Sequence, residues 1–263
     1  MKLGVLIPAY RAQHALPRTL ASLASDSVPF DIVVVDDGSQ PPLAAPDMVG
    51  AHRVVLLRVV QNNGIAAALN YGLQWMRARG YEVVARLDAG DLNTATRLAM
   101  QTAFLARHPD VALVGSWTQH VDEQMRPLYI TRYPADHASI LERFHVRSPF
   151  SHPTCMFRMA AVDEVGGYDE RCELGEDYDL FWRIASRHRC ANVPEVLVTR
   201  VETPASLTHR RRWPMALRRI DLQWRHFEWR QAGCWLGLLR SVLLLLVPKA
   251  PVGALKRAIG VVG

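Results

Sequence analysis

Two short acidic clusters stand where hydrophobic runs end. Asp36-Asp37-Gly38-Ser39 follows Ile32-Val33-Val34-Val35, and Asp88-Ala89-Gly90-Asp91 follows Val83-Val84-Ala85-Arg86-Leu87. Short apolar runs of this kind, rich in valine and isoleucine, read as buried strands. Ligands of an open α/β sheet bind in the crevice beyond the carboxyl ends of its strands. Four carboxylates converging on such an edge repel one another. A hard divalent cation such as magnesium or manganese relieves that repulsion and holds phosphate oxygens. Carboxylates so placed suit a cation together with a sugar-nucleotide better than they suit a packed core.

The elements that would position them alternate along the chain. Leu3 to Ile7 reads as a buried strand stopped by Pro8. Ala15 to Ala24 has helical spacing at Leu16, Leu20 and Leu23. Strands follow at Ile32–Val35 and Val54–Val60, then a helix over Ile65–Arg79 with Asn63 as its cap and Gly64 at its entry. Val83–Leu87 is a further strand, Thr94–Arg107 a helix ended by His108-Pro109-Asp110, and Val111–Val114 a strand. This alternation predicts βαβ units and a mostly parallel sheet. Beyond Trp117 it loosens. Short strands are expected at Tyr129–Tyr133 and Thr154–Phe157, helices at Ala135–Phe144 and Asp177–Arg187, and an edge strand at Val193–Val201, with Pro194 near its start. No internal repeat is visible.

The chain has 263 residues, 49% of them hydrophobic, enough for a sizeable core in one large domain or in one domain plus an appendage. Its net charge of +6 is unevenly spread. Residues 1–209 carry 20 Lys and Arg against 23 Asp and Glu, and residues 210–263 carry 11 against 2. A basic tail seeks phosphates, on nucleic acid or on an anionic membrane. Leu217, Ile220, Trp224 and Phe227 form an apolar helical stripe, with Arg218, Arg219, Arg225 and Arg230 largely off it. Trp235–Val247 is then apolar or small except at Arg240 and Ser241, and Pro248 stops it. That run is shorter than the roughly 20 residues needed to cross a bilayer. It suits an interfacial helix, and lipid fits the leucine-rich continuation better than nucleic acid does. Cys155, Cys172, Cys190 and Cys234 form no CxxC pair, which argues against a zinc ribbon and fits a reducing compartment. Pro8 and Tyr10 end the first apolar run too early for a signal-peptide core. The expected location is the cytoplasm, peripheral on the inner face of the membrane.

Six segments together resemble the family 2 glycosyltransferases, whose catalytic domain has the GT-A fold. They are Val5-Leu6-Ile7-Pro8-Ala9-Tyr10, Val33–Ser39, Asn62-Asn63-Gly64 with Ala68-Leu69-Asn70, Ala85–Asp91, Gly166-Gly167-Tyr168-Asp169 and Gly175-Glu176-Asp177-Tyr178-Asp179. They occur in the family's order over roughly residues 1–201. The resemblance implies an α/β, mostly parallel Rossmann-like sheet flanked by helices, the GT-A catalytic domain over 1–209; the charge and spacing of 210–263 make that region a basic amphipathic, membrane-associated tail. It implies an inverting transfer from a nucleoside-diphosphate sugar, UDP-linked, to a glycan or lipid-linked acceptor in polysaccharide or cell-surface glycan synthesis. Pro8, Ala9, Tyr10, Asp36, Asp37, Asn63 and Gly64 would surround the nucleotide. A carboxylate accepts from uracil or ribose, and an aromatic ring packs on the base. Arg86 would face donor phosphate or pair with Asp88. Asp177 matches the family's general base, with Glu176 and His152 toward the acceptor.

The chain departs from that pattern in three places. Gly90 stands where the second carboxylate of the metal-binding DxD is usual, and Asp91 follows. Either Asp88 and Asp91 hold the magnesium or manganese, or one acts through water, or metal dependence is weaker than the family norm. Asp91 also competes as a cap for the helix that follows. Glu202 stands where a histidine is frequent after the late strand, and His209 is a candidate replacement. Arg211-Arg212-Trp213 lacks the glutamine of the processive members' QxxRW motif, so one sugar per encounter is expected. The competing readings are a catalytically weak sugar-nucleotide-binding protein, suggested by Gly90, and a sugar nucleotidyltransferase. Asp177 speaks against the first, and the lack of a glycine-rich, arginine-containing N-terminal loop against the second.

Overall fold

The computed structural model describes residues 1–172, 174–202, 212–227, 229, 232–246 and 261–262. His209, Arg211, Arg230 and Val247 lie outside them. Strand β1 (Leu3–Ala9) has β2 (Asp31–Asp37) and β5 (Val83–Arg86) parallel on its two sides. β4 (His52–Val59) runs parallel beside β2, followed by the short β3 (Met48–Val49). On the other side β9 (Met156–Arg158) lies antiparallel between β5 and β7 (Val111–Val121). β8 (Pro127–Thr131) pairs antiparallel and β10 (Arg189–Val201) parallel with β7. The short β6 (Leu92–Asn93) joins β10, and β11 (Val261–Val262) joins β8.

The two-residue period of the strands divides the core into two layers. Leu6, Val33, Val35 and Val84 face one cluster; Val5, Ile7, Ile32, Val34, Val83 and Ala85 face the other. Helices α1 (Leu16–Leu23) and α3 (Arg97–Arg107) cover the second cluster. Helices α2 (Ile65–Arg77), α4 (His137–Phe144), α5 (Met159–Glu164) and α6 (Glu176–Ala185) cover the first. Parallel strands buried on both faces must be apolar at nearly every position, which is why the valine runs were readable.

The differences from the sequence expectation have physical reasons. β1 runs through Pro8, because β5 pairs only with Leu3–Leu6. Pro8 therefore lies where β1 has β2 alone as neighbour, and the missing N–H interrupts nothing on the β5 side. β7 extends to Val121 and β10 begins at Arg189, since each completes the other's backbone hydrogen bonds. The register of that pair shifts between Val193 and Val196, which accommodates Pro194 in a bulge. α3 starts at Arg97 instead of Thr94, since Leu92 and Asn93 pair with β10 and the Thr94 N–H donates to the Leu197 carbonyl. Its early N–H at Leu98 is satisfied by Asp26 Oδ2 at 2.9 Å, so Asp91 is not its cap.

Helices α7 (Arg212–Arg225) and α8 (Ala232–Leu246) pack against the body. Leu222 and Cys234 are buried, and His226 stacks on Trp182 with centroids 4.3 Å apart. Gln223 Nε2 donates to the His145 carbonyl at 2.6 Å, and Cys234 Sγ lies 3.2 Å from His145 Nδ1. Gly237 crosses directly over the His145 carbonyl, and a Cβ there would overlap it. Among the described residues no helix is long and apolar enough to cross a membrane.

Candidate active site

The carboxyl ends of β1, β2 and β5 open on one side of the sheet, and the two acidic clusters sit there. The carboxylates of the first cluster are turned into the chain. Asp36 is fully buried; Oδ1 accepts from the Ser39 N–H and Oδ2 from the Leu43 N–H, both at 3.0 Å. Asp37 Oδ1 accepts from the Asn63 N–H at 3.0 Å, and its Oδ2 accepts from the Gly64 N–H at 3.0 Å and Asn62 Nδ2 at 2.9 Å. The oxygens of Asp36 and Asp37 thus hold the two turns that line the crevice, and each keeps lone pairs beyond those bonds. The Asn63 cap is corrected. Gly64 is the N-cap of α2, at φ 90°, and no side chain caps it. The exposed groups on this wall include Tyr10, with the Arg11 guanidinium 5.1 Å from its ring centroid, and the side chains of Asn62 and Asn63. Pro8 is half-buried and Ala9 buried beneath them.

The second cluster is a charge network. Arg86 is 1% exposed, and its Nη1 lies 2.5 Å from Asp88 Oδ1. Arg86 Nη2 faces His152 Nδ1 at 3.5 Å, and His152 Nε2 lies 2.8 Å from the Tyr168 hydroxyl. A guanidinium only donates, so His152 Nδ1 carries the lone pair and Nε2–H donates to Tyr168. Burial, then the Arg86 charge, pushes the imidazole pKa well below its usual value, so His152 is neutral. Both ring nitrogens are engaged inside the protein, where His152 buttresses Arg86. Arg97 Nη2 donates to the Arg86 carbonyl at 2.7 Å and Nε to Gln101 Oε1 at 3.0 Å, fixing the exit of β5 from below.

Asp88, Asp91, Glu176 and Asp177 interact with one another through this network. Burial raises the Asp91 pKa to about 7, and the neighbouring Asp88 charge adds to it. Burial and then Asp177 raise Glu176 to about 8, and burial raises Asp177. Asp88 goes the other way. Burial opposes its ionisation, but Arg86 and Arg200 outweigh that and hold it below the usual carboxylate range. The Tyr178 N–H donates to Asp177 Oδ1 at 2.7 Å, which sets the carboxylate at the N-terminus of α6. Asp179 lies within α6, where Arg183 Nε donates to its Oδ2 at 2.8 Å.

Sequence reasoning missed Arg200 as a site residue. It is the penultimate residue of β10, opposite His120, and Asp91 and Asp88 stabilise its charge. Only the parallel pairing of β10 with β7 brings it there, and no local pattern marks that pairing. Glu202, found in place of the frequent histidine, lies 2.7 Å from His120 Nδ1 and accepts from the Tyr129 hydroxyl at 3.4 Å. Asn70 has a structural job. It accepts from the Tyr168 N–H at 2.9 Å and donates to the Tyr168 carbonyl at 2.8 Å, tying Gly166-Gly167-Tyr168 to α2.

Among the described residues no three His, Cys, Asp or Glu side chains are grouped to hold a metal ion. Two fit a hard cation in part. Asp91 Oδ2 is buried with no hydrogen-bond partner, and the Asp88 carboxylate is 31% exposed to the crevice. Magnesium-type ions are commonly held by one or two carboxylates, with water and substrate phosphate supplying the remaining oxygens. Gly90, at φ 116°, adds no ligand and carries the chain between the two aspartates.

Residues 4–166 match the family model for glycosyl transferase family 2. The amylovoran biosynthesis glycosyltransferase AmsE of Erwinia amylovora is 29% identical over 95% of this chain and 94% of its own. An Escherichia coli UDP-Gal:alpha-D-GlcNAc-diphosphoundecaprenol beta-1,3-galactosyltransferase is 28% identical over 75% of this chain and 73% of its own. Two solved structures share the fold. Residues 1–349 of S. aureus TarS in complex with UDP-GlcNAc superpose with TM-score 0.64 at 17% identity, over 85% of this chain and 64% of that one. The mannosyltransferase PcManGT of Pyrobaculum calidifontis, in complex with GDP-Man and Mn2+, gives 0.61 at 19% identity, over 97% and 78%. A GT-A sheet, acidic clusters at its carboxyl edge and a family match over more than half of the residues lead to one conclusion: this chain belongs to glycosyl transferase family 2 and is a glycosyltransferase.

Proposed function

We propose that the enzyme transfers a sugar, with inversion, from a UDP-sugar to the terminal sugar of a lipid-linked acceptor in polysaccharide or cell-surface glycan synthesis. The observation that carries this is the meeting of Asp88, Asp91, Glu176 and Asp177 with Arg86 and Arg200 beyond the strand ends. Asp177 accepts the acceptor hydroxyl proton as that oxygen attacks the anomeric carbon, and the UDP oxygen leaves from the opposite face with the bonding pair. No covalent sugar–enzyme intermediate forms. Glu176 orients the acceptor. Tyr10 and the Asn62–Gly64 turn form the nucleotide wall, and Arg86 and Arg200 bias the crevice toward phosphate. Asp88 and Asp91 would hold a magnesium or manganese ion, whose chemistry is to neutralise charge on the departing diphosphate. The AmsE and galactosyltransferase relatives support the pathway class, and the TarS complex and the galactosyltransferase support uridine as the base. A screen of nucleotide sugars for UDP release, run on the wild type and on Asp177→Asn, tests the reading. Release by GDP-sugars alone, or equal turnover by the two proteins, defeats it.

Region 210–263 supplies the membrane contact in this reading. Trp224, Trp235, Leu236, Leu239 and Leu243 are each about half exposed or more on α7 and α8, an unusual amount of large apolar surface for water. Aromatic and leucine side chains beside Arg225 and Arg240 suit the interface of an anionic cytoplasmic leaflet. The full-length protein is expected to float with anionic liposomes in a gradient and to be only partly released by salt. Leu239→Glu should abolish flotation. A wild type that ignores such liposomes rules out the membrane role.

A further inference from the structure

Four arginines lie about the point where α8 passes over His145, the residue just past α4, and among the described residues none has a carboxylate partner. Arg143 Nε and Nη2 and Arg147 Nη2 are buried without a hydrogen-bond partner. Arg147 follows Arg143 by one helical turn, with its N–H on the Arg143 carbonyl at 2.9 Å. The contacts of Gln223, Cys234 and Gly237 with His145 bring the other two to the same place. Arg219 lies one turn before Gln223, and Arg240 one turn after Gly237. Each of Arg143 and Arg219 is disfavoured as a cation first by burial and then by Arg240, the signature of like charges held close. None of the four takes part in an ion pair among the described residues. Gathering unpaired guanidiniums is costly unless an anion joins them.

The position of the cluster says which anion. Arg219 interacts with Tyr178, the residue after Asp177, and the Tyr178 hydroxyl donates to the Phe144 carbonyl, next to Arg143. Beside Arg240 on α8 lie the exposed Leu236, Leu239 and Leu243, the first and last one turn away from it. The cluster thus stands between an apolar surface and the expected base. The geometry points to an acceptor-diphosphate site: Arg143, Arg147, Arg219 and Arg240 clamp the diphosphate of a lipid-linked acceptor, whose aliphatic chain lies along α8 and whose sugar reaches Asp177. Planar guanidiniums meet phosphate oxygens in bidentate pairs, and a diphosphate carries more charge in less space than a phospholipid headgroup. The inference rests on the lipid-linked acceptor proposed above and adds the residues that recognise it.

The test uses full-length protein in detergent micelles, with farnesyl diphosphate as the probe and the donor site saturated with UDP and manganese. Farnesyl diphosphate should bind the wild type under these conditions, and Arg143→Gln with Arg240→Gln should weaken it at least about tenfold, as expected for lost charge-assisted bonds. UDP affinity, measured separately, is the check on folding. If the pair loses it, Arg240→Gln alone, at an exposed side chain, replaces the pair and should still weaken the probe several-fold. Phosphatidylglycerol vesicles form the second arm. Variants that lose vesicle binding but keep farnesyl diphosphate overturn the proposal in favour of a headgroup surface. Unchanged probe affinity, or a probe that binds only by displacing UDP, overturns it outright. A wild type that fails to bind UDP defeats the donor reading instead, so the two failures are distinct.

Discussion

Replacing Asp177 with asparagine separates catalysis from folding. The carboxylate Oδ1 accepts the Tyr178 N–H at 2.7 Å, and an amide oxygen keeps that bond at the start of α6. The substitution therefore leaves the local backbone in place. It removes one of the charges that raise Glu176 to about 8, and with it part of the repulsion inside the cluster. Each pKa unit by which Glu176 relaxes corresponds to about 1.4 kcal/mol, so the thermal midpoint of the variant should equal or exceed that of the wild type. Turnover goes the other way. An amide cannot take the acceptor proton, and loss of a general base costs on the order of 10²–10⁴ in rate, or about 3–5.5 kcal/mol of barrier. Coupled UDP-release kinetics, UDP titration calorimetry and thermal unfolding on the same preparation read the three quantities. Turnover within tenfold of wild type refutes the role of Asp177. A large loss of both stability and UDP affinity refutes the claim that its role is chemical and not structural.

Four further outcomes follow from the same geometry. Asp88→Ala should weaken manganese-dependent UDP binding more than Asp91→Ala, because Asp88 is held ionised and opens to the crevice; calorimetry giving the reverse order, or no metal effect, sinks the assignment. Activity should fall on the acid side at a pH above the usual carboxylate range, because burial favours the protonated form of a base that must be ionised, and the residual rate of Asp177→Asn should lack that limb. The unliganded protein should lose stability as pH rises from about 4.3 through about 8, since the Glu176 pKa is raised on folding, and Glu176→Gln should flatten that slope. Gly90→Asp should lower the thermal midpoint although it restores a carboxylate. Its φ of 116° is a glycine conformation worth roughly 1–3 kcal/mol to any other residue, or about 2–4 °C per kcal/mol. An unfolding scan that matches the wild type contradicts this.

The parallel half of the sheet was readable because its strands are buried on both faces, so burial and sequence carry the same signal. Ile32–Val35 and Val83–Leu87 could be nothing else. The other half was readable only in part. Thr118, Gln119 and His120 belong to β7 because β10 and β8 hold their backbones, and polar side chains give no periodic hint of it. The start of α3 moved for a similar reason: Asp26, distant in sequence, satisfies the Leu98 N–H. A cap supplied from another element leaves no local spacing. The tail was legible as amphipathic, but its docking depends on Gly237 passing over the carbonyl of His145, just past α4, a fit that exists only in three dimensions.

At the site, the motifs marked places more reliably than contacts. Asp36 and Asp37 lie at the crevice, yet their oxygens bind main-chain N–H groups that water and ligand would otherwise have to satisfy. The chemistry comes from how unlike charges are distributed among residues that sequence distance keeps apart. Arg86 and Arg200 arrive from two strands and hold Asp88 ionised. Asp91, Glu176 and Asp177 are raised by burial in the same cluster. The environment thus splits four similar side chains into one anion that stays charged beside the arginines and three groups that take up protons readily. Environments that drive the pKa values of neighbouring carboxyls apart assign their roles. The fixed anion belongs on the phosphate side of the crevice, and the proton acceptor belongs at the start of α6, where Asp177 stands.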